Sequence, residues 1–349
     1  MRRERFSLDN LLRGAGVILI LFAFGCVESK TAIKKETITQ IQWETNQIIE
    51  VPTEGCFIGI WRGDYEDIAG KEKEVVDKYT ADAGNPPTIL NMTTIVINPL
   101  YNDFFPKDIF DAVAKNGVIP LVKYTVKPFK NFKEITEGKF DNKFVNMAIK
   151  LKEFGHPIFF GPFFEVNMDW DPKHIPFLQQ PPEDFKKAYI HMHKIFTKQG
   201  AKNIIWLPTF VANFYGKEIE PYYPGDEYVD WIGFTCYNMI DKGHPSRSLA
   251  SLIKPFYNSM RRFHPNKPIL LCDFGRSRGG GQAEWISKAY SAIKNKFPGI
   301  KGAVWGDYFL KSFAGGKDWD SRFTEDTESL QAMRRALSDP YFLGKVYNP

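Results

Sequence analysis

The sequence predicts an α/β fold, a (β/α)8 TIM barrel, on three observations. Short apolar runs recur eight times over about 300 residues, stretches of helical period lie between most of them, and no run leads into a dinucleotide glycine fingerprint. The runs are CFIGIW (56–61), TTIVIN (93–98), VIPLVKY (118–124), PIFFGPFF (157–164), NIIWLP (203–208), VDWIGF (229–234), PILLC (268–272) and KGAVW (301–305). Each is nearly continuous rather than alternating, as parallel strands are when helices cover the sheet or the ring closes. The intervening stretches are PKDIFDAVAKNG, DNKFVNMAIKLKEFG, PEDFKKAYIHMHKIFTKQG, SRSLASLIKPFYNSMRRF and QAEWISKAYSAIKNKFPG. Several open on Asp, Ser or Pro and stop at glycine, the usual start and stop signals of helices. An open doubly wound sheet is the runner-up, and the missing fingerprint argues against it.

Ahead of the first run, Arg2, Arg3, Arg5 and Arg13 precede the apolar stretch GVILILFAF, which ends at Gly25-Cys26. That is the order of an export signal, and the span is too short for a comfortable membrane helix. The sequence therefore divides into a signal segment (1–25), a polar tether (26–50) and one barrel domain (51–349). Ala23-Phe24-Gly25-Cys26 resembles a bacterial lipobox, which implies that Cys26 is acylated and that the mature protein is a membrane-anchored lipoprotein of the cell envelope. A plain membrane anchor is the alternative.

The formal charge of +5 is spread as single Lys and Arg residues, with no basic block to track a phosphate backbone, so nucleic acid is not expected as a partner. Cys56, Cys236 and Cys272 sit inside apolar runs and are expected to be buried and free, since an odd number cannot all pair. His174, His191, His193 and His244 have no carboxylate or cysteine at ligand spacing; no metal and no cofactor are expected.

In such barrels the active site lies at the carboxyl ends of the strands. Glu165 follows the fourth run, in FFGPFFEVNMDW, and Asp273 follows the seventh, in LLCDFGRS. Either alone reads as a cap or turn residue. Two carboxylates facing each other across a barrel mouth are the apparatus of glycoside cleavage, one protonating the leaving oxygen while the other attacks or stabilises the sugar cation. Phe163 and Phe164 would disfavour the ionised form of Glu165, which suits the acid role. Trp61, Trp170, Tyr237 and Trp305 stand at other strand ends, where rings could pack on the C–H faces of a sugar, although aromatics are 15% of the chain and most must be core. Asn167, Asn213 and Asn238 could supply amide hydrogen bonds to hydroxyls. The loop GRSRGGG, with Arg276 and Arg278, reads as a flexible rim.

PIFFGPFFEVNMDW, GAKNIIWLPTFVAN, YYPGDEYVDWIGFTCYN, KPILLCDFG and FPGIKGAVW, in this order and spacing, resemble glycoside hydrolase family 26, whose best-known members are retaining β-mannanases. The resemblance runs from about Cys56 to Trp305. It implies a TIM barrel acting on a β-linked, mannan-like polysaccharide or oligosaccharide. It also implies Glu165 as acid/base, Asp273 in the nucleophile position, Tyr237 beside it and Trp305 under the sugar. Three positions depart from the family pattern: Asp273 replaces a glutamate, Phe164 a histidine and Gly161 an arginine. One methylene less draws the attacking oxygen back by roughly 1.5 Å, while retention wants carboxyls about 5–5.5 Å apart and inversion about 6.5–9.5 Å. A catalytically impaired glycan-binding lipoprotein on the same barrel is thus the alternative to a hydrolase. A structural envelope protein without a ligand ranks last.

Overall fold

The structure, a computed structural model, describes residues 48–345 apart from 64–67, 93–94, 98–106, 127–129, 169–179, 241–244 and 313–316. The expected signal segment, Cys26, most of the tether and Trp170 lie outside the described residues.

Strand β1 (Cys56–Trp61) leads through helix α1 (Glu72–Ala83) to the short strands β2 (Ile89–Asn91) and β3 (Ile95–Ile97). Helix α2 (Lys107–Lys115), β4 (Ile119–Val126), α3 (Phe132–Thr136), α4 (Asp141–Phe154) and β5 (Ile158–Pro162) follow. Next come α5 (Pro182–Gln199), β6 (Ile204–Trp206), β7 (Thr209–Val211), β8 (Ile232–Asn238), α6 (Leu249–Phe263) and β9 (Ile269–Arg276). The chain ends with α7 (Gln282–Lys296), β10 (Ile300–Gly306), the hairpin β11 (Phe309–Ser312) and β12 (Lys317–Asp320), α8 (Thr327–Leu337) and β13 (Phe342–Leu343). Helices start and stop where the sequence signals them: Ser248 and Asp326 cap the amides of Ser251 and Ser329, and Gly84, Gly155 and Gly200 end helices in the left-handed conformation.

The large sheet runs β6-β5-β4-β2-β1-β10-β9-β8-β7, with parallel pairings throughout. Strand β6 pairs with β5 and β7 pairs with β8, yet only Leu207 and Pro208 separate them. The Leu207 N–H donates to Phe160 O at 3.0 Å and the Gly233 N–H donates to Pro208 O at 2.9 Å, so the sheet changes neighbour across a proline that has no N–H to give. The result is an α/β barrel. One expected strand moves: β2 is the ILN segment at Ile89–Asn91, which bridges β1 and β4, whereas the apolar run at 93–98 contributes β3, paired with β4.

Side chains divide between two layers. Cys56, Ile58 and Ile60 of β1 face the helices with Phe110, Phe144 and Trp285, while Phe57 and Trp61 face the interior with Leu121, Phe159 and Trp231. Each layer follows the period of two along a strand. Cys56, Cys236 and Cys272 are buried and free, as expected. Where β1 meets β10, Arg62 reaches Asp82 at 2.7 Å and Asp307 at 2.9 Å. Burial pushes the Asp307 carboxyl above its ordinary range, against the pull of Arg62.

Candidate active site

Strict alternation would turn Asp273 outward, because Leu270 and Cys272 face the interior and Leu271 faces the helices. A β-bulge intervenes. Phe234 and Thr235 of β8 pair with Leu271 and Asp273, and Ala303 and Trp305 of β10 pair with Leu271 and Phe274, so β9 carries one extra residue against both neighbours. Bulges re-aim side chains, and this one brings Asp273 inward directly after Cys272. There Lys123 Nζ donates to Asp273 Oδ2 at 2.9 Å and the Tyr237 hydroxyl donates to Oδ1. The Lys123 and Asp273 side chains are each only 3% exposed.

Lys123 comes from β4, on the interior face after Ile119 and Leu121. Its ammonium lies 5.3 Å from the centre of the Trp61 ring and 5.7 Å from that of Phe164. Burial alone would lower the lysine pKa, but Asp273, Cys272 and Glu165 together hold it above the ordinary value. Burial pushes the neighbouring Cys272 thiol up to about 12, and its Sγ donates to Phe234 O at 3.2 Å. This cysteine is a packed neighbour and not a nucleophile.

Glu165 stands in the turn after β5, half-buried, where two residues other than glycine take the left-handed conformation: Phe163 at φ 56° and Glu165 at φ 59°. Such backbone is uncommon and is held by its surroundings. The Glu165 N–H donates to Thr209 O at 2.9 Å, and the Met168 N–H donates to Glu165 O at 3.0 Å. The turn sends Phe163 and Val166 into the helix layer and leaves Phe164 and Glu165 half-buried. Phe163 packs among Phe132 and Phe185 in the helix layer, so of the two expected apolar neighbours only Phe164 is left near Lys123 and the mouth. Among the described residues no side chain hydrogen-bonds the Glu165 carboxyl, in contrast to the clamped Asp273. At Gly161, a Cβ would lie 2.9 Å from Leu207 O, so the strand before this turn has no room for a side chain.

Trp61 and Tyr237 lie on the interior face. Trp305 does not: it is one residue after the inward Val304, points to the helix layer against Phe274 and Trp285, and donates its Nε1 hydrogen to Ser321 O at 3.2 Å. Asn167 is likewise assigned elsewhere. Fully buried, it donates to Val211 O at 3.0 Å and Lys217 O at 2.8 Å and accepts from the Val211 N–H at 2.8 Å, tying the Glu165 turn to β7. Asn213 and Asn238 accept from the amides of Tyr215 and Arg247, the ordinary work of turn residues. The rim loop is pinned rather than loose, through Arg276 to Gly280 O at 2.7 Å and Arg278 to Asp320 at 2.9 Å.

Three residues packed around Asp273 and its partners were missed by sequence reasoning. Lys123 carried a signal, a lysine inside the apolar run VIPLVKY, where a buried cation needs a counter-charge. Tyr308 lies 3.9 Å from Trp61 by ring centres, and Trp319, on the added hairpin, lies 5.2 Å from Tyr237. Neither sits at a recognisable strand end. Trp61, Tyr237 and Tyr308 keep 9%, 7% and 8% of their surface exposed, so each is a packed interior ring with only an edge left open.

A Cβ at Gly306 would lie 2.5 Å from the Tyr237 hydroxyl and 3.2 Å from Asp273 Oδ1. Gly306→Ala is therefore expected to displace that hydroxyl and lower turnover by about 100-fold, with about 1–3 kcal/mol of stability lost to overpacking. Initial rates and a denaturant midpoint on the same preparation check it.

The family model described as Glycosyl hydrolase family 26 matches residues 123–308, from the buried lysine to the tyrosine beside Trp61. Endoglucanase H of Acetivibrio thermocellus is 28% identical over 302 residues, covering 81% of this chain; the chain spans only 30% of that relative's length. A Bacillus subtilis mannanase, man26, superposes with a TM-score of 0.58 at 20% identity, covering 85% of this chain and 91% of its own. The YdhT protein of Bacillus subtilis does so with a TM-score of 0.58 at 20% identity, covering 86% and 89%. At these identities the structural likenesses bear on the fold, which they share.

Proposed function

The chain belongs to glycosyl hydrolase family 26, and from that membership together with the pocket geometry we propose that it hydrolyses a β-linked polysaccharide with Glu165 as acid/base and Asp273 as nucleophile or base. The observation that carries this reading is the position of Lys123: it pairs in register with Gly161 of β5, four residues before Glu165, and its ammonium bonds Asp273 of β9, so both acids leave their strands at one rim. Glu165, half-exposed at the mouth, is suited to exchange protons with a leaving group and with water. Tyr237 and Lys123 orient Asp273 beneath it. Trp61, Tyr237 and Tyr308 supply the apolar wall that a sugar ring packs on. A mannan-like substrate fits the family, while Phe164 in place of a histidine removes a polar contact and widens the class to other β-linked glycans. We read the barrel as the full (β/α)8 ring, with β2/β3 and β6/β7 each filling one strand position. We also read the protein as exported and lipid-anchored at Cys26, on the signal-like order of residues 1–26.

The test is sugar release from a panel of β-mannans, mixed-linkage β-glucans and β-xylans by the wild type and by Glu165→Gln. The variant is expected to lose about 100-fold or more of the rate on whichever polymer the wild type cleaves. Equal release by both proteins would remove the assignment. The anomer first released distinguishes retention from inversion.

A specific observation favours a second reading, a glycan-binding protein without turnover: Asp273 is almost wholly buried and both of its oxygens are engaged. That reading predicts affinity for an oligosaccharide with no release from any polymer.

A further inference from the structure

We propose that Asn91 is a positioning residue whose side-chain amide reaches across the barrel and holds the β9 bulge that aims Asp273 inward. The inference rests on the hydrolase reading and deepens it. Asn91 ends β2 and is wholly buried. It follows the inward Ile89 and the helix-facing Leu90, so its side chain enters the barrel interior. There its Nδ2 donates to Cys272 O at 3.0 Å. Strands β1 and β10 lie between β2 and β9 in the sheet, so this bond spans the interior and is no part of the ladder. A glycine on β10 brings the two strands within reach. A Cβ at Gly302 would lie 2.4 Å from Leu270 Cδ1 and 3.6 Å from Ile89 Cδ1, so these side chains, one layer below the Asn91 bond, meet over bare backbone.

The carbonyl that Asn91 meets is the one that matters for direction. Cys272 is in register with neither neighbour: the pairing steps from Leu271 to Asp273 against β8 and from Leu271 to Phe274 against β10. Its C=O belongs to the peptide that joins it to Asp273. Because a peptide is planar, fixing that oxygen fixes the Asp273 N–H and Cα, and with them the direction in which the carboxyl leaves the chain. The Cys272 thiol adds a second anchor, donating to Phe234 O at 3.2 Å. One residue later Lys123 holds the carboxyl itself at 2.9 Å. Leu121 lies opposite Asn91 in the β2–β4 register, and Lys123 stands two residues further along β4. Two adjacent strands thus hold two consecutive residues of β9, Asn91 the peptide and Lys123 the acid. Without the amide, a buried carbonyl loses a donor, which is costly. The peptide recovers a donor only by turning, and any turn carries Asp273 with it.

The experiment uses Asn91→Leu in the full-length protein, a change that keeps the side-chain volume and removes the donor. The first readout needs no turnover. The hydroxyl hydrogen that Tyr237 gives to Asp273 is followed by proton NMR and assigned by its loss in Tyr237→Phe. In Asn91→Leu that resonance is expected to move upfield or to be lost to exchange with water, because its acceptor has shifted. The second readout is kinetic. On a polymer that the wild type cleaves, kcat is expected to fall about 100-fold with KM little changed, the mark of a displaced reacting group beside an intact Trp61 and Tyr308. A crystal structure of the wild type guards against a variant that does not fold: an Asn91 amide that does not reach Cys272 O would overturn the proposal with no variant made. An unmoved Tyr237 resonance, or a kcat equal to that of the wild type, would overturn the positioning role while leaving hydrolysis intact. A moved resonance in a protein whose wild type cleaves no polymer would support the hold on Asp273 and sink the hydrolase reading.

Discussion

Asp273→Asn is expected to unfold the protein more easily by about 3–5 kcal/mol, because the amide leaves the buried Lys123 ammonium without its counter-charge. The Tyr237 hydroxyl loses its charged acceptor at the same time. Lys123 carries a raised pKa in the folded state, so its share of the stabilisation is fully present below the ordinary lysine value of 10.5 and fades only as pH rises through the raised one. The loss in Asp273→Asn is therefore expected to be as large at pH 8 as at pH 7. Turnover should fall on the order of 10⁶-fold, the scale on which removal of a nucleophile acts in other hydrolases. Pairing it with Lys123→Met, so that the acid becomes Asn and the lysine an apolar chain of similar length, should return much of the stability and none of the activity. Denaturant midpoints with sugar-release rates on the same samples separate the two effects. An Asp273→Asn protein as stable as the wild type would mean that the buried pair does not form in solution.

Asp273→Glu is expected to do harm. The added methylene would drive the carboxyl onward by about 1.5 Å, into a space already taken by Lys123 Nζ, the Tyr237 hydroxyl and the close approach of Gly306. Overpacking of this kind costs about 1–3 kcal/mol, and a displacement near 1 Å at the reacting atom costs about 100-fold in rate. The bulge in β9 already presents the shorter acid to the pocket, and Lys123 and Tyr237 meet it there. A gain in turnover would show instead that the pocket keeps room for the longer acid.

Much of the fold was legible because a buried parallel strand must be apolar on both faces, and CFIGIW, PILLC and KGAVW announce that locally. Glu165 and Asp273 were legible for a related reason: a carboxylate directly after such a run has to go to the rim or be paired. Which way a side chain turns was much less legible. Counting by twos from Leu270 sends Asp273 toward the helices, and only the extra residue in β9, measured against β8 and β10, brings it inward. Trp305 had the attraction of an aromatic at a strand end, yet its parity with Ala303 places it behind the sheet. Asn167 looked like a free amide until Val211 and Lys217 closed around it.

The sequence by itself determined that strands and helices alternate, where most of the strands lie, and that two acids follow the fourth and seventh of the apolar runs. Those are consequences of burying apolar side chains with a local period. The tertiary structure alone decided that Asp273 faces inward, that a lysine from another strand pairs with it, and that Tyr308 rather than Trp305 lies on the interior face beside Trp61. Each of these depends on pairing register and charge compensation between residues distant in the chain. A local pattern carries no record of such partners, because the energy that selects them exists only once the strands are side by side.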